Sequence, residues 1–204
     1  NMVVTHEPTY YNHFDETEQF GDDPVLAAKL KFIHDNNMVI WRFHDFWHQT
    51  EPDGIYYGIL RELGWEEYLV ESNVVHIPET SIEQLAEGLR DKFDIKTIRV
   101  MGDPDMKIRK IGLSLGAAGS MAHITLLKRN DIDLLICGEA REWETVEYVR
   151  DANSAGMNKG MILLGHAISE EPGMEYCAEW LKTFISEVPV EFIPAGEPFW
   201  QPED

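Results

Sequence analysis

The stretch Gly160-Met-Ile-Leu-Leu-Gly-His166-Ala-Ile-Ser-Glu170 joins an apolar run to a histidine and a carboxylate. Residues 161–164 are apolar and flanked by glycines, which is typical of a short strand buried on both faces of a parallel sheet. His166 follows the carboxyl end of this strand, and Glu170 lies at the start of a segment, 172–185, with helical spacing. Because open α/β sheets bind ligands at the carboxyl ends of their strands, His166 and Glu170 are candidate metal ligands.

Two earlier stretches end in the same way. Residues 1–6 form a β-branched run that stops at His6, and residues 38–44 form an apolar run that reaches a histidine and continues to His48. A single histidine at a strand end is more often a hydrogen-bonded structural residue than a ligand. Three strand-like runs that finish at histidines predict a shared site more strongly than one.

Helical and strand-like segments alternate along most of the chain, which predicts an α/β fold with mixed sheets flanked by helices. The predicted helices are 22–36, 55–63, 81–93, 120–128, 143–155 and 172–185. Beyond the runs already described, a strand or hairpin is predicted in 68–77, and strands are predicted in 97–101, 107–115, 133–139 and 190–193. We expect one domain over residues 1–204, with two pseudo-lobes at about 1–94 and 95–204.

The composition limits the classes of partner. The chain has 204 residues and a formal net charge of -20, and nucleic acids and anionic membranes need basic surfaces. None of its apolar runs approaches the roughly 20 residues of a membrane span. We expect no nucleic-acid or membrane partner, and cations are the more natural ligands.

The cysteines and the N-terminus give two further expectations. Cys137 and Cys177 are isolated in the sequence, which disfavours a disulfide framework or a thiolate zinc site and favours a reducing cytoplasm. The chain starts at Asn1, directly in a strand-like run and without an initiator methionine. This start predicts a chain that is truncated at its N-terminus.

Imidazoles and carboxylates together suit divalent first-row metals such as Zn, Mn, Fe or Ni. The candidate ligands are His6, Glu7, His48, His166 and Glu170. Five ligands exceed what one catalytic metal usually takes from protein, but a bridging carboxylate lets such a set hold two ions about 3.5 to 4 Å apart. Such a pair activates water and clamps a phosphate or carbonyl oxygen, which is hydrolytic chemistry.

Several nearby residues have more than one interpretation. Glu139 follows a predicted strand and either supports a ligand or caps the next helix. The turn Gly116-Ala-Ala-Gly119 resembles a phosphate loop but lacks its lysine, so a tight strand-to-helix turn is the simpler interpretation. Aromatic residues beside the candidate ligands either form a pocket for an organic ligand or belong to the core; they are Tyr10, Tyr11, Phe46 and Trp47.

Three motifs resemble those of the Nif-three-like dinuclear metal-centre family. Thr5-His6-Glu7-Pro8 resembles ITHHP, His44-Asp-Phe-Trp-His48 resembles HTNLD, and the segment 165–170 resembles GHxxTE. Further landmarks, at 102–105, 116–120, 133–139 and 196–199, extend the resemblance over nearly the whole chain. The resemblance implies the family's α/β fold and a missing leading βα segment. Bacterial members often carry the name GTP cyclohydrolase I type 2.

The resemblance also implies ligand roles. His6 and His166 would bind one metal, Glu170 would bridge, and Glu7 and His48 would serve the other metal. Glu7 stands where the family usually has histidine, and His48 stands where it usually has aspartate. This reciprocal exchange keeps three imidazoles and two carboxylates. The alternatives are that Asp45 supplies the carboxylate, that His44 is a ligand or orients one, or that only one metal site is occupied.

Two functions follow as hypotheses. The first is a dinuclear-metal hydrolase of nucleotide-like or other phosphorylated small molecules, GTP cyclohydrolase type 2-like by resemblance alone. His44, Asp45 and Glu139 are candidates for general acid or base. The second is a non-catalytic metal-handling or regulatory protein. The resemblance further implies a homohexameric ring.

Overall fold

The computed structural model describes residues 1–202 and divides into two compact units, Asn1–Gly54 and Ile55–Asp204. Strands and helices alternate in both units, which confirms the predicted α/β class. Among the described residues, no helix combines the length and the apolar character that crossing a membrane requires.

The first unit contains a two-stranded parallel sheet. Strand β1 (Met2–Thr5) pairs with β2 (Val39–Arg42), and helix α1 (Pro24–Asp35) connects them. The Asp23 carboxylate accepts hydrogen bonds from the first backbone amides of α1, as expected for an N-cap. Because the strands are parallel, their carboxyl ends meet at the same edge, where His6 and His44 follow them.

A short helix, α2 (Asp45–His48), follows β2 and carries a buried tryptophan. Trp47 packs so closely against Gly54 that a β-carbon there would lie 2.0 Å from its ring. Trp47 is therefore a core residue, whereas Phe46 and Tyr11 are exposed. The core interpretation is confirmed for Trp47.

The second unit is built on a six-stranded mixed sheet of order β3-β4-β6-β7-β8-β5. These strands are β3 (Leu69–Glu71), β4 (Val74–Ser81), β5 (Arg99–Met101), β6 (Lys107–Ser114), β7 (Leu134–Cys137) and β8 (Gly160–Leu163). Strands β6, β7 and β8 are parallel, and the remaining pairs are antiparallel. Every residue of β7 and β8 is buried, as their continuous apolar sequences predict.

Five helices belong to this unit or begin at its boundary. They are α3 (Gly54–Leu63), α4 (Ile82–Phe93), α5 (Ser120–Leu127), α6 (Glu147–Ser154) and α7 (His166–Lys182). Helix α4 begins with a capping box, in which Ser81 and Gln84 bond to each other's backbone amides. Cys137 and Cys177 are free and buried, and burial raises the pKa of their thiols to about 12 and about 11 respectively.

Two helix starts and one strand differ from the predictions. Helix α7 begins at His166, not at residue 172, because Gly165 takes a positive φ at the N-cap and Pro172 is accommodated inside the helix. The segment predicted as a helix over 143–155 begins instead with a π-helical turn, Glu142–Val146. Residues 190–193 form no strand, so that prediction was wrong; apolar β-branched residues become a strand only where a partner edge is available.

Helix α7 is fixed by close packing against α3. A β-carbon at Gly58 would lie 2.4 Å from the Cα of Gly173, so only glycine permits this approach of the two backbones. Arg61 adds a bidentate ion pair with Glu179, at 2.6 and 2.7 Å. The helix that carries His166 is therefore packed directly against α3.

Candidate metal centre

Three histidines cluster in the first unit. One ring nitrogen from each of His6, His44 and His48 lies within 4.8 Å of the others. The rings of His6 and His44 stack with their centroids 4.4 Å apart, and the His48 ring meets both edge-on, at 5.0 and 4.9 Å. His6 is only 7% exposed. The structure thus places His6, His48 and His44, which the sequence leaves open as a ligand, in one cluster.

Glu7 supplies a carboxylate to this cluster. Its Oε1 lies 3.9 Å from Nε2 of His44, and its ligand atom lies within 4.8 Å of that of His6. The first unit therefore offers three imidazoles and one carboxylate. A mixed nitrogen and oxygen set of this kind is typical of sites for divalent first-row metals.

Carboxylates lie behind two of these imidazoles. Nδ1 of His44 is 2.7 Å from Oδ1 of Asp45, and Nδ1 of His48 is 3.0 Å from Oδ2 of Asp53. A carboxylate on Nδ1 fixes the ring and leaves Nε2 on the opposite side as the ligand atom, which is the usual arrangement of metal-binding histidines. The hydrogen bond with His44 also lowers the pKa of Asp45.

The contact of Asp45 with His44 distinguishes between the roles that the sequence leaves open for Asp45. Asp45 lies against the back of the His44 ring with its side chain 81% exposed, so the structure favours an orienting role over that of a replacement ligand. Asp53, whose side chain is 29% exposed, was missed by the sequence analysis. Asp53 lies in the segment Pro52-Asp-Gly54, whose composition predicts a turn. Nothing in that pattern indicates that its carboxylate contacts His48.

His166 and Glu170 form the ligand pair of the second unit. They lie four residues apart at the start of α7, and Nε2 of His166 is 3.0 Å from Oε2 of Glu170. Glu170 is 7% exposed. On the other side of the ring, Nδ1 of His166 is 2.6 Å from Oε1 of Glu139. As for His44 and His48, a carboxylate at Nδ1 therefore leaves Nε2 of His166 as the ligand atom.

Of the two roles considered for Glu139, the contact with His166 supports the orienting one. The N-cap of the following π-helical turn is Arg141, and no side chain caps it. The backbone amide of Glu139 donates to the carbonyl of Gly116 at 2.9 Å, which fixes the start of this loop.

The turn after β6 shapes the space around Glu170. Gly116 has a φ of +58°, and a β-carbon there would lie 1.9 Å from Oε1 of Glu170. Its amide donates to Oγ of the buried Ser169 at 2.9 Å. The turn 116–119 is therefore a tight turn, as interpreted from the sequence, and its glycine allows the carboxylate to approach the backbone.

The donor set fits a divalent metal. Each of His44, His48 and His166 is held through Nδ1 by a carboxylate, and a further carboxylate lies near Nε2 of His44 and of His166. Cys137 and Cys177 are buried as neutral thiols and belong to neither group. The cluster of His6, His44 and His48 is therefore a candidate metal-binding group, and the pair His166 and Glu170 offers a further imidazole and carboxylate.

The sequence matches one family model and resembles a curated bacterial protein. The family model described as Duf34/NIF3 (NGG1p interacting factor 3) matches residues 1–198. A Clostridium acetobutylicum protein named GTP cyclohydrolase 1 type 2 homolog is 25% identical over 187 residues, which cover 85% of this chain and 65% of that protein. The chain thus spans less than two thirds of the length of this curated relative.

Solved structures share the fold. The protein ybgI, described as of unknown function, superposes with a TM-score of 0.71 at 18% identity, over 97% of this chain and 76% of that one. The Staphylococcus aureus hypothetical protein SA1388 gives 0.68 at 12% identity, over 90% and 72%. TTHA1606 from Thermus thermophilus gives 0.60 at 15% identity, over 90% and 70%.

Proposed function

Because the chain belongs to the Duf34/NIF3 family, we propose that it is a metal-dependent hydrolase of nucleotide-like or other phosphorylated small molecules. Its dinuclear site would be formed by His6, Glu7, His48, His166 and Glu170. The curated relative's name, GTP cyclohydrolase 1 type 2 homolog, supports nucleotides as the first substrates to test.

The observation that carries the proposal is the environment of His166. Glu139 holds Nδ1 of this ring, and the buried Glu170 faces Nε2. Burial of a carboxylate is costly unless cations or hydrogen-bond donors compensate its charge. A divalent ion between an oriented imidazole and a buried carboxylate satisfies that requirement.

Each residue of the proposed centre has a separate task. Two bound divalent ions would supply Lewis acidity to a phosphate or carbonyl oxygen and lower the pKa of water. Asp53 and Glu139 keep the rings of His48 and His166 in the tautomer that presents Nε2. His44, with Asp45 behind its ring, is either a further imidazole ligand or the group that moves a proton at Nε2.

A hydrolysis screen tests the proposal. Protein loaded with Zn, Mn, Fe or Ni is incubated with a panel of nucleotides and phosphoesters, and we expect turnover of at least one. Glu170→Gln should abolish that turnover while the circular dichroism spectrum stays unchanged. Glu175→Gln is the matched control, because Glu175 is exposed on the same helix, and it should retain activity.

The excess of acidic side chains favours a second candidate function, metal handling without turnover. With 37 Asp and Glu against 17 Lys and Arg, the chain attracts cations. A metal-handling or regulatory protein would bind ions without turnover. Stoichiometric metal binding with no hydrolysis anywhere in the panel would select this second function.

We further propose a homohexameric ring for either function. Light scattering coupled to size-exclusion chromatography should then give a mass near six chains, and a monomeric mass would rule the ring out.

A further inference from the structure

We propose that Trp143 determines substrate specificity by stacking on a planar ring of the substrate beside the Glu139 and His166 pair. The inference rests on the proposed function, since it assumes that substrate binds at that site. Trp143 is not one of the proposed metal ligands, and it would contact the substrate away from the metal.

Trp143 lies close to the candidate site along the chain. It is four residues after Glu139, whose carboxylate contacts His166. Four residues span at most about 14 Å when fully extended, and the π-helical turn Glu142–Val146 shortens that distance. The Cα atoms of Glu139 and Trp143 are therefore at most about 14 Å apart, a distance that the proposed substrate would span.

The residues around Trp143 are anchored to the protein. Glu142 pairs with Arg99 of β5, at 2.8 Å. On the other side, Glu144 accepts a hydrogen bond from Ser120 at the start of α5. The turn is thus attached to elements on both of its sides.

A buried hydrogen bond between side chains also holds the turn. Oγ1 of Thr145 lies 3.0 Å from Nδ1 of His123, and both residues are buried. Thr145 thus points into the protein, whereas Trp143 itself is 73% exposed. The turn presents the indole to solvent on a rigid support.

An exposed apolar residue alone needs no functional explanation. Here, however, three features coincide: a π-helical turn, which is frequent at functional sites, anchors on both sides, and the nearby Glu139, whose carboxylate contacts the candidate ligand His166. Met121, next to the anchoring Ser120, is also exposed. Tryptophan stacks on any planar heteroaromatic ring, and that interaction tolerates differences between bases.

Two probes that differ only in the base test the inference. The affinities of the metal-loaded protein for GMP and for ribose 5-phosphate are measured by titration calorimetry. In Trp143→Ala we expect the Kd for GMP to rise about tenfold and the Kd for ribose 5-phosphate to stay unchanged. Trp143→Phe should retain most of the GMP affinity, because phenylalanine also stacks. Trp200→Ala, which removes an equally exposed tryptophan, should have no effect.

Unchanged GMP affinity in Trp143→Ala would overturn the inference alone, and so would an equal loss for both probes. A changed oligomer mass for this variant in light scattering would also overturn it, because Trp143 would then belong to an interface between copies. If the wild-type protein binds GMP no better than ribose 5-phosphate, the inference fails even where turnover supports the proposed function. If it neither binds GMP nor turns over any nucleotide, both fail.

Discussion

The Glu139 carboxylate lies 2.6 Å from Nδ1 of His166, on the opposite side of the imidazole ring from Glu170. The contacts of Asp45 with His44 and of Asp53 with His48 repeat this relationship. Since an imidazole held through Nδ1 presents Nε2 in a defined direction, the three contacts preorganise the rings for metal binding. Removing any of these three carboxylates should therefore weaken metal binding.

Glu139→Ala should weaken metal binding by about 10- to 100-fold, because the His166 ring loses the partner that fixes its tautomer and orientation. Competition with a chromophoric chelator measures the affinity. Glu147→Ala is the control, since Glu147 forms an exposed ion pair with Arg150, and such pairs contribute little. Equal affinities in the two variants would contradict an orienting role for Glu139.

Asp53→Ala should weaken metal binding more than Asp45→Ala. The Asp53 contact is half-buried, whereas Asp45 lies largely in solvent, where water can replace its hydrogen bond to His44. The same competition assay compares the two variants. A larger loss in Asp45→Ala would restore Asp45 as a candidate ligand.

Gly116→Ala should displace the Glu170 carboxylate and strongly reduce metal content. The added β-carbon would meet Oε1 of Glu170 at 1.9 Å, in addition to the strain of about 1 to 2 kcal/mol that φ of +58° imposes on alanine. Gly119→Ala separates the two effects, because φ there is +89° but nothing lies within 4 Å of the added carbon. We expect both variants to lose stability in urea unfolding and only Gly116→Ala to lose metal. Normal metal content in Gly116→Ala would contradict this account of the turn.

His123 should make the stability of the protein depend on pH. Burial lowers its pKa below the ordinary value of 6.5, so the unfolded chain takes up a proton that the folded chain excludes. The associated stability is present above pH 6.5 and is lost as the pH falls below it. In EDTA, the free energy of unfolding should fall more between pH 7.5 and 5.5 for the wild type than for His123→Gln. Parallel losses would exclude His123 as the cause.

Much of the fold was predictable because it depends on local patterns. The continuous apolar sequence of β8 indicated a strand buried in a parallel sheet, and the helical spacing after residue 81 indicated α4. The start of α7 was not predictable from Pro172, because the packing of Gly173 against Gly58 stabilises a helix that contains proline. Tertiary contacts decide such boundaries.

The candidate ligands were predictable because histidines follow strand ends, and the family resemblance sharpened the set. Their supporting residues were harder to identify. Asp53 is a turn residue in the sequence, and only the folded chain places it against His48. The π-helical turn that presents Trp143 likewise depends on contacts with α5 and β5, which no local pattern contains.

The metal content of purified protein tests the central claim most directly. Mass spectrometry of the wild type should give about two equivalents of divalent metal per chain. We expect the content to fall in both His48→Ala and Glu170→Gln, with each variant still folded by circular dichroism. No bound metal in the wild type after reconstitution, or two retained equivalents in both variants, would contradict a dinuclear centre formed by these residues.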